Sequence, residues 1–388
     1  MHTQYRTKHN IIVLSIKLFA LKHFLTIFAE NNKMIIMNFI LGIIFAIFST
    51  LLIEGCGRTD SSEQTYSEFP IQHIIKGEPL HIDSAHIYRF PKIYIFDTTM
   101  IIKDIPTTGG CFYDVYKFPE LEYWYSFARN GRGENEILHS MNLHINNGKI
   151  YIDDFTEALK KIHVYNIGDT IPCKIVPLPT GTYYSTFTVD NYENIWILPI
   201  RNSKYRLQQL DSKGNITKET MPLPEITDTM YNDMSGGVWQ SLLSFSHNKN
   251  VLILATEFGE QLDIYSEDKE ETITSIGPLG PPEIGKPING AFLSFSKLGF
   301  NQIHTTSKYI YAAFKGATHA DILSKKAWQR DTNEYQKIYV YDYRGTPVKE
   351  LLYKEQITGF QVVESENAIY ATAETGEEYF ILKYTIPN

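Results

Sequence analysis

The sequence predicts an all-β protein, a six-bladed β-propeller with four-stranded blades. Aromatic residues make up 13% of the chain, with 26 Tyr and 22 Phe, and such side chains suit pleated, half-buried strands. Short apolar strands of one character recur around Ile101, Ile150, Ile195, Leu252, Ile310 and Ile369, at spacings of 45 to 59 residues. That interval is the length of a four-stranded blade. The anchors also share a context, because turns such as Asn146-Asn147-Gly148-Lys149, Asp190 to Asn194 and Ser246 to Asn250 precede them. Residues of these types tolerate the left-handed backbone of a tight hairpin.

From the N-terminus, residues 34–53 read MIIMNFILGIIFAIFSTLLI, twenty residues without a charge. A run of that length is able to span a bilayer as a permanent anchor. The boundary that follows supports a different reading: Ile53-Glu54-Gly55-Cys56 places a small residue directly before a cysteine. It resembles the lipobox of bacterial lipoprotein signal peptides, with Glu54 an unusual occupant of its position. The resemblance implies a diacylglycerol thioether on Cys56 and cleavage after Gly55. Residues 1–55 then form the signal peptide region. Its earlier apolar stretch, Ile11 to Ala29, is either an extended n-region or lies upstream of a start near Met34 or Met37. Residues 56–74, polar after the cysteine, are expected to be a flexible tether, and 75–388 the propeller. The lipid would hold the protein to a membrane of the cell envelope. Gly57 after the cysteine, where an acidic residue would signal retention, points to the outer membrane.

Setting aside residues 1–55, with five basic and two acidic side chains, lowers the formal charge from −8 to −11. Such a surface repels phosphate backbones, and no run of Lys and Arg with interleaved aromatics reverses this, so nucleic acid is excluded as a partner. Besides Cys56 there are Cys111 and Cys173. They are either two free thiols or one disulfide, and a domain of this size has core enough without a staple.

The remaining strands follow from alternation. Lys161 to Asn166, Tyr205 to Leu210 and Lys337 to Asp342 alternate apolar and polar residues as outer strands of their units. After the last anchor there is room for a strand from Tyr379 to Thr385 but not for a full outer set. A segment from the other chain end, Leu80 to Ile87, is therefore expected to complete the sixth blade and remove its exposed edge.

Just after the first unit, Phe127-Ala128-Arg129-Asn130-Gly131-Arg132-Gly133-Glu134-Asn135-Glu136-Ile137 resembles the Gly-x-Gly-Pro-x-Glu signature of the TolB-like six-bladed propeller lipoproteins of Bacteroidetes. The flanks share the likeness: Pro91 and Ile93 to Asp97, the Ile-Ile-Lys-Asp strand at 101–104, and Ile-Tyr-Ile-Asp-Asp at 150–154. It covers most of residues 75–388. Glu134 replaces the proline, while a partial copy, Gly280-Pro281-Pro282-Glu283, keeps it. Gly131, Gly133 and Glu136 are expected to build an inter-blade turn, with Glu136 and Glu283 accepting backbone N–H bonds. A catalytic carboxylate pair is the alternative.

The chain contains no HExxH, GxSxG, CxxC or Walker-type loop, so no catalytic residues, metal ligands or cofactor are assigned. His139 and His144 are spaced i,i+5, which on a strand puts them on opposite faces and argues against joint ligation. Propeller lactonases and related hydrolases hold Ca²⁺ with Asp, Asn and Glu from inner strands; the residues of that type here are Asp190, Asn289, Asn301 and Glu364. The excursion from Lys315 to Glu334 interrupts the fifth unit, and His319, Trp328 and Arg330 are its candidate binding rim. Two functions remain: a non-enzymatic envelope module that binds a protein, peptide or glycan, and a Ca²⁺-assisted hydrolase or lactonase. A channel of carboxylates and amides would favour the hydrolase, one of aromatics and aliphatics the binding module.

Overall fold

A strand buried on both faces needs a sheet against each of them, and this chain meets the requirement by setting six sheets in a ring. The computed structural model describes residues 61–82, 91–106, 109–155, 160–224, 235–283, 297–318, 335–375 and 378–387.

Three strands precede the first blade: β1 (Ser61–Thr65), β2 (Gln72–Ile74) and β3 (Gly77–Leu80). Blade 1 is β4 (Lys92–Phe96), β5 (Thr99–Lys103), β6 (Cys111–Lys117) and β7 (Glu122–Arg129). Blade 2 is β8 (Leu143–Asn146), β9 (Lys149–Phe155), β10 (Lys160–Asn166) and β11 (Lys174–Pro177). Blade 3 is β12 (Tyr184–Val189), β13 (Ile195–Pro199), β14 (Tyr205–Leu210) and β15 (Ile216–Pro222). Blade 4 is β16 (Ser241–Ser246), β17 (Val251–Thr256), β18 (Gln261–Ser266) and β19 (Glu271–Ile276). Blade 5 is β20 (Phe300–Thr305), β21 (Tyr309–Phe314), β22 (Gln336–Asp342) and β23 (Pro347–Tyr353). The chain ends with β24 (Gln356–Val363), β25 (Ala368–Thr375) and β26 (Glu378–Thr385).

All six anchors fall on the second strand of a blade, and each is at most 1% exposed. That position has a strand on either side and a neighbouring blade over each face, which is why the anchor strands carry the most uniform apolar signal. The strands expected to be outermost, at 161–166, 205–210 and 337–342, are instead third strands, each covered by a fourth. Six apolar clusters hold the ring, one at each interface between blades. The sixth joins Ile93, Met100 and Tyr116 of blade 1 to Ala368, Tyr370 and Ile381 of the last blade, so the ring is closed.

The N-terminal segment completes the last blade as expected, but the pairing strand is β3. Gly77 lies opposite Tyr384 and Leu80 opposite Ile381, antiparallel to β26. Of the expected strand Leu80 to Ile87, residues 83–87 lie outside the described residues.

The flexible tether expected over 56–74 is corrected from residue 61 onward. β1 adds parallel to the outer strand of blade 4, Ser61 opposite Thr272 through Thr65 opposite Ile276. β2 adds parallel to the outer strand of blade 5. Between them, Phe69 packs on Tyr339 and Tyr341. The Tyr66 hydroxyl donates to Glu260 Oε1 (2.9 Å) and meets the Tyr341 hydroxyl at 2.6 Å. A polar composition suits a flexible tether, but the backbone groups of Ser, Gln and Thr also satisfy an open sheet edge without apolar side chains.

Candidate functional site: the central channel

In blades 1 to 5 the innermost strand is the first of the blade's four in sequence, in the last blade it is β24, the first of the three C-terminal strands, and in all six it forms one edge of its sheet. The six inner strands therefore run in one sense along the axis, with their first residues at one mouth and their last at the other. Their free edges and side chains enclose a cavity of about 350 Å³ lined from all six blades.

At the mouth where the inner strands begin, Lys92 of β4 and Asn142, just before β8, line the cavity. Lys92 is open to the cavity yet surrounded by protein, and among the described residues its ammonium has no hydrogen-bond or ion-pair partner. Burial holds its pKa below the ordinary lysine range, partly offset by the charges of Asp153 and Glu257. Behind it, Lys103 donates to the Met141 carbonyl (3.0 Å), and burial together with the charge of Lys92 brings its pKa down to about 8. Asp153 is fully buried and accepts from Met141 N (2.7 Å), Asn142 N (2.9 Å) and Asn142 Nδ2 (2.8 Å). Burial nevertheless keeps its pKa raised. Glu257 accepts from Gln240 Nε2 at 3.1 Å.

Deeper in, the lining is uncharged. It includes His144, which packs on Phe187 with ring centroids 4.9 Å apart, and His304. Burial lowers their pKa values to about 3 and about 4, so both imidazoles are neutral, with one donor and one acceptor each. The amides Asn301, Gln302 and Gln361 and the hydroxyls of Thr186, Thr188 and Ser244 complete the polar surface. Toward the far mouth come Phe96, Phe245 and His247, whose Nδ1 lies 2.9 Å from Asn191 Oδ1. Among the described residues that line the cavity there is no carboxylate, and no cluster of three His, Cys, Asp or Glu is arranged to hold a metal.

The residues singled out from sequence fare unevenly. Gly131, Gly133 and Glu136 do build the turn between blades 1 and 2: Gly133 N–H donates to Glu136 Oε2 (2.7 Å), and Arg129 Nε lies 3.7 Å from Oε1. A Cβ on Gly131 would overlap the Glu136 carboxylate, so glycine there leaves room for that carboxylate to sit beneath the turn, and any side chain must displace it. In the second copy Glu283 is exposed, and the carboxylate beneath the turn is Glu260, which accepts Leu279 N–H at 3.1 Å. The motif likeness there misled because the acid comes from the start of β18's hairpin. Glu136 and Glu283 stand after blades 1 and 4, on well-separated turns, so they form no catalytic pair.

Asp190 is consumed by its own turn. Oδ1 accepts from Tyr192 N (2.8 Å) and Asn194 N (2.9 Å), Oδ2 from Asn194 Nδ2 and Trp196 Nε1 (both 3.0 Å). Asp211 with Asn215, and Asp342 with Thr346, repeat that four-residue device. Asn301 does line the channel, whereas Glu364 sits beyond the far mouth, accepting Ser307 N–H at 2.9 Å. His144 faces the channel and His139 is exposed outside the strands, so the two are not a pair. Cys111 and Cys173 are free thiols, half-buried and exposed. Cys56, Asn289, His319, Trp328 and Arg330 lie outside the described residues; the strand residues on either side of the 315–334 excursion, Phe314 and Lys337, pair in register with one another and Phe314 with Phe300 at the start of the inner strand β20.

Sequence reasoning missed Lys92, Asn142, Gln302, Gln361 and His304. The available signal was positional: each lies on or beside the strand just before an anchor turn, which in a propeller is the innermost strand.

Six blades around a polar channel define the class, and the comparisons narrow it. The TolB-like 6-blade propeller-like family matches residues 69–365, and the chain belongs to that family. A protein from Bacteroides fragilis named as exported is similar in structure at a TM-score of 0.54 and 13% identity, covering 84% of this chain and 99% of its own. A member of the DUF4221 family from Bacteroides vulgatus is similar at a TM-score of 0.54 and 9% identity, covering 81% and 97%. No curated protein matches the chain.

Proposed function

We propose that this protein is a lipid-anchored component of the cell envelope, at the outer membrane, whose propeller binds a ligand in its central channel without transforming it. The observation that carries the binding reading is the channel lining: amides, neutral imidazoles and hydroxyls around a single ammonium, with no carboxylate among the described residues. A Ca²⁺-assisted hydrolase needs six to eight oxygen ligands, several of them carboxylates, and Asp190 and Glu364, the acids nominated for that role, are engaged elsewhere. The envelope reading is supported by the Ile-Glu-Gly-Cys boundary at Cys56 and by the exported description of the similar Bacteroides fragilis protein.

Calorimetric titration with Ca²⁺ separates the two functions. The binding module predicts no saturable heat and no shift of the melting temperature by Ca²⁺ or a chelator. Tight Ca²⁺ binding that is lost on substituting Asn142 or Asn301 would establish the hydrolase reading instead. Metabolic labelling with a palmitate analogue tests the anchor, since the wild-type chain is labelled and Cys56→Ser is not.

A further inference from the structure

We propose that the channel recognises a small acidic saccharide, its carboxylate held by Lys92 and its hydroxyl-bearing body by the polar groups of the inner strands. The inference rests on the channel being the binding site, as proposed above.

Lys92 is the single side chain with a formal charge among the described residues that line the cavity, and among those residues its ammonium has no partner. The ionisable groups around it come from four other elements: Lys103 on β5, His144 on β8, Asp153 on β9 and Glu257 after β17. The two acids are already bonded, Asp153 by Asn142 and the Met141 amide, Glu257 by Gln240, so neither supplies the missing counter-charge by direct contact. An ammonium that faces the channel between protein walls, with no contact partner among the described residues, loses part of its hydration, and its charged form is disfavoured to that extent. A ligand carboxylate would relieve that penalty with a charge-assisted hydrogen bond.

The rest of the cavity suits a hydroxylated body rather than a second charge. A sugar hydroxyl both donates and accepts, and so do a neutral imidazole and a primary amide. His144, Asn301 and Gln361 provide such groups along the channel, His304, whose ring also meets the Val362 backbone, offers its other nitrogen, and Phe96 and Phe245 offer apolar surface to the C–H face of a ring. The volume of about 350 Å³ is at the small end of ligand pockets, which limits the occupant to one or two sugar units.

The test is calorimetric titration of the full chain in detergent with glucuronic, galacturonic and digalacturonic acids, each against its methyl ester, alongside NMR of ¹⁵N-labelled histidines. The expected result is that at least one acid binds about tenfold or more tightly than its ester, the weight of one charged hydrogen bond, and shifts the His144 and His304 signals. Lys92→Met should reduce the acid to the ester's affinity, and Lys92→Arg should keep the preference. Equal binding of acid and ester with the histidine shifts intact, or a preference that survives Lys92→Met, overturns the assignment to Lys92 while leaving the channel as the site. Binding by none of the probes, or binding that leaves the channel histidines unmoved, overturns the saccharide proposal, and in the second case the channel as well. The comparison of acid with ester in the wild-type chain stands even if Lys92→Met fails to fold.

Discussion

Arg206 of β14 and Asp263 of β18 meet at 2.6 Å across the boundary between blades 3 and 4, with 6% and 1% of their side chains exposed. Arg206 also reaches Ser241 Oγ at 3.3 Å and lies over the Trp239 ring at 4.9 Å, while Asp263 accepts from Gln261 Nε2 and Thr274 Oγ1. A buried pair with this many supporting bonds is costly to break on one side only, because the survivor is left charged and unsatisfied. Asp263→Ala should lower the unfolding free energy by about 3–5 kcal/mol. Removing both charges with Arg206→Met and Asp263→Ala should cost clearly less than the sum of the single changes, as read from urea denaturation of all four chains.

Tyr66 fastens the N-terminal segment to the ring. Burial and the neighbouring Tyr341 and Glu260 raise its pKa far above the usual phenol value, so the hydroxyl remains a donor to Glu260. Tyr66→Phe should cost about 1–3 kcal/mol, the penalty of leaving a buried acceptor with one donor fewer. Deleting residues 61–74 should cost more, since it also uncovers the outer edges of blades 4 and 5. Thermal melts of the two variants check both, and a deletion that melts like the wild type would mean that the segment is a passive leader.

His144 and His304 set an acid limb of stability. Their folded pKa values, about 3 and about 4, lie below the ordinary 6.5 because burial disfavours the imidazolium. The unfolded chain therefore binds protons that the folded chain refuses, so stability is full above pH 6.5 and falls as pH drops toward 4. Each histidine contributes at most about 1.4 kcal/mol per pH unit in that window. Asp153 and Glu260, raised by burial, work in the opposite sense, losing stability as pH rises through their folded pKa values. Urea denaturation between pH 7 and 5 should show the histidine slope, and His144→Gln or His304→Gln should flatten it.

Gly131 and Glu136 are coupled by contact. Gly131→Ala places a methyl group against the Glu136 carboxylate and should displace it from the Gly133 N–H. The same change in a Glu136→Ala background should be nearly silent, because the clash is gone. A double-mutant cycle measures the coupling, and additive effects would show that Glu136 does not hold the turn.

The six anchors were legible because each second strand is buried on both faces, which forces a run such as Ile195 to Leu198 to be apolar regardless of what lies elsewhere in the chain. The Asp turns were half legible: Asp190 carries the right composition, but only the hydrogen bonds reveal that its carboxylate is spent within four residues. The carboxylate of the glycine motif was legible because it is local, whereas that of the second copy was not, since Glu260 reaches that turn from some twenty positions upstream. The channel was beyond reach in one dimension. Lys92, Asn142, Thr186, Ser244, Asn301 and Gln361 are spread over 270 residues and face one cavity only because six inner strands converge on an axis. Pairing of β1 and β2 with blades 4 and 5 was hidden for a related reason. A strand added parallel to an outer edge is held by backbone hydrogen bonds, and those carry no side-chain signature until the edge is in place.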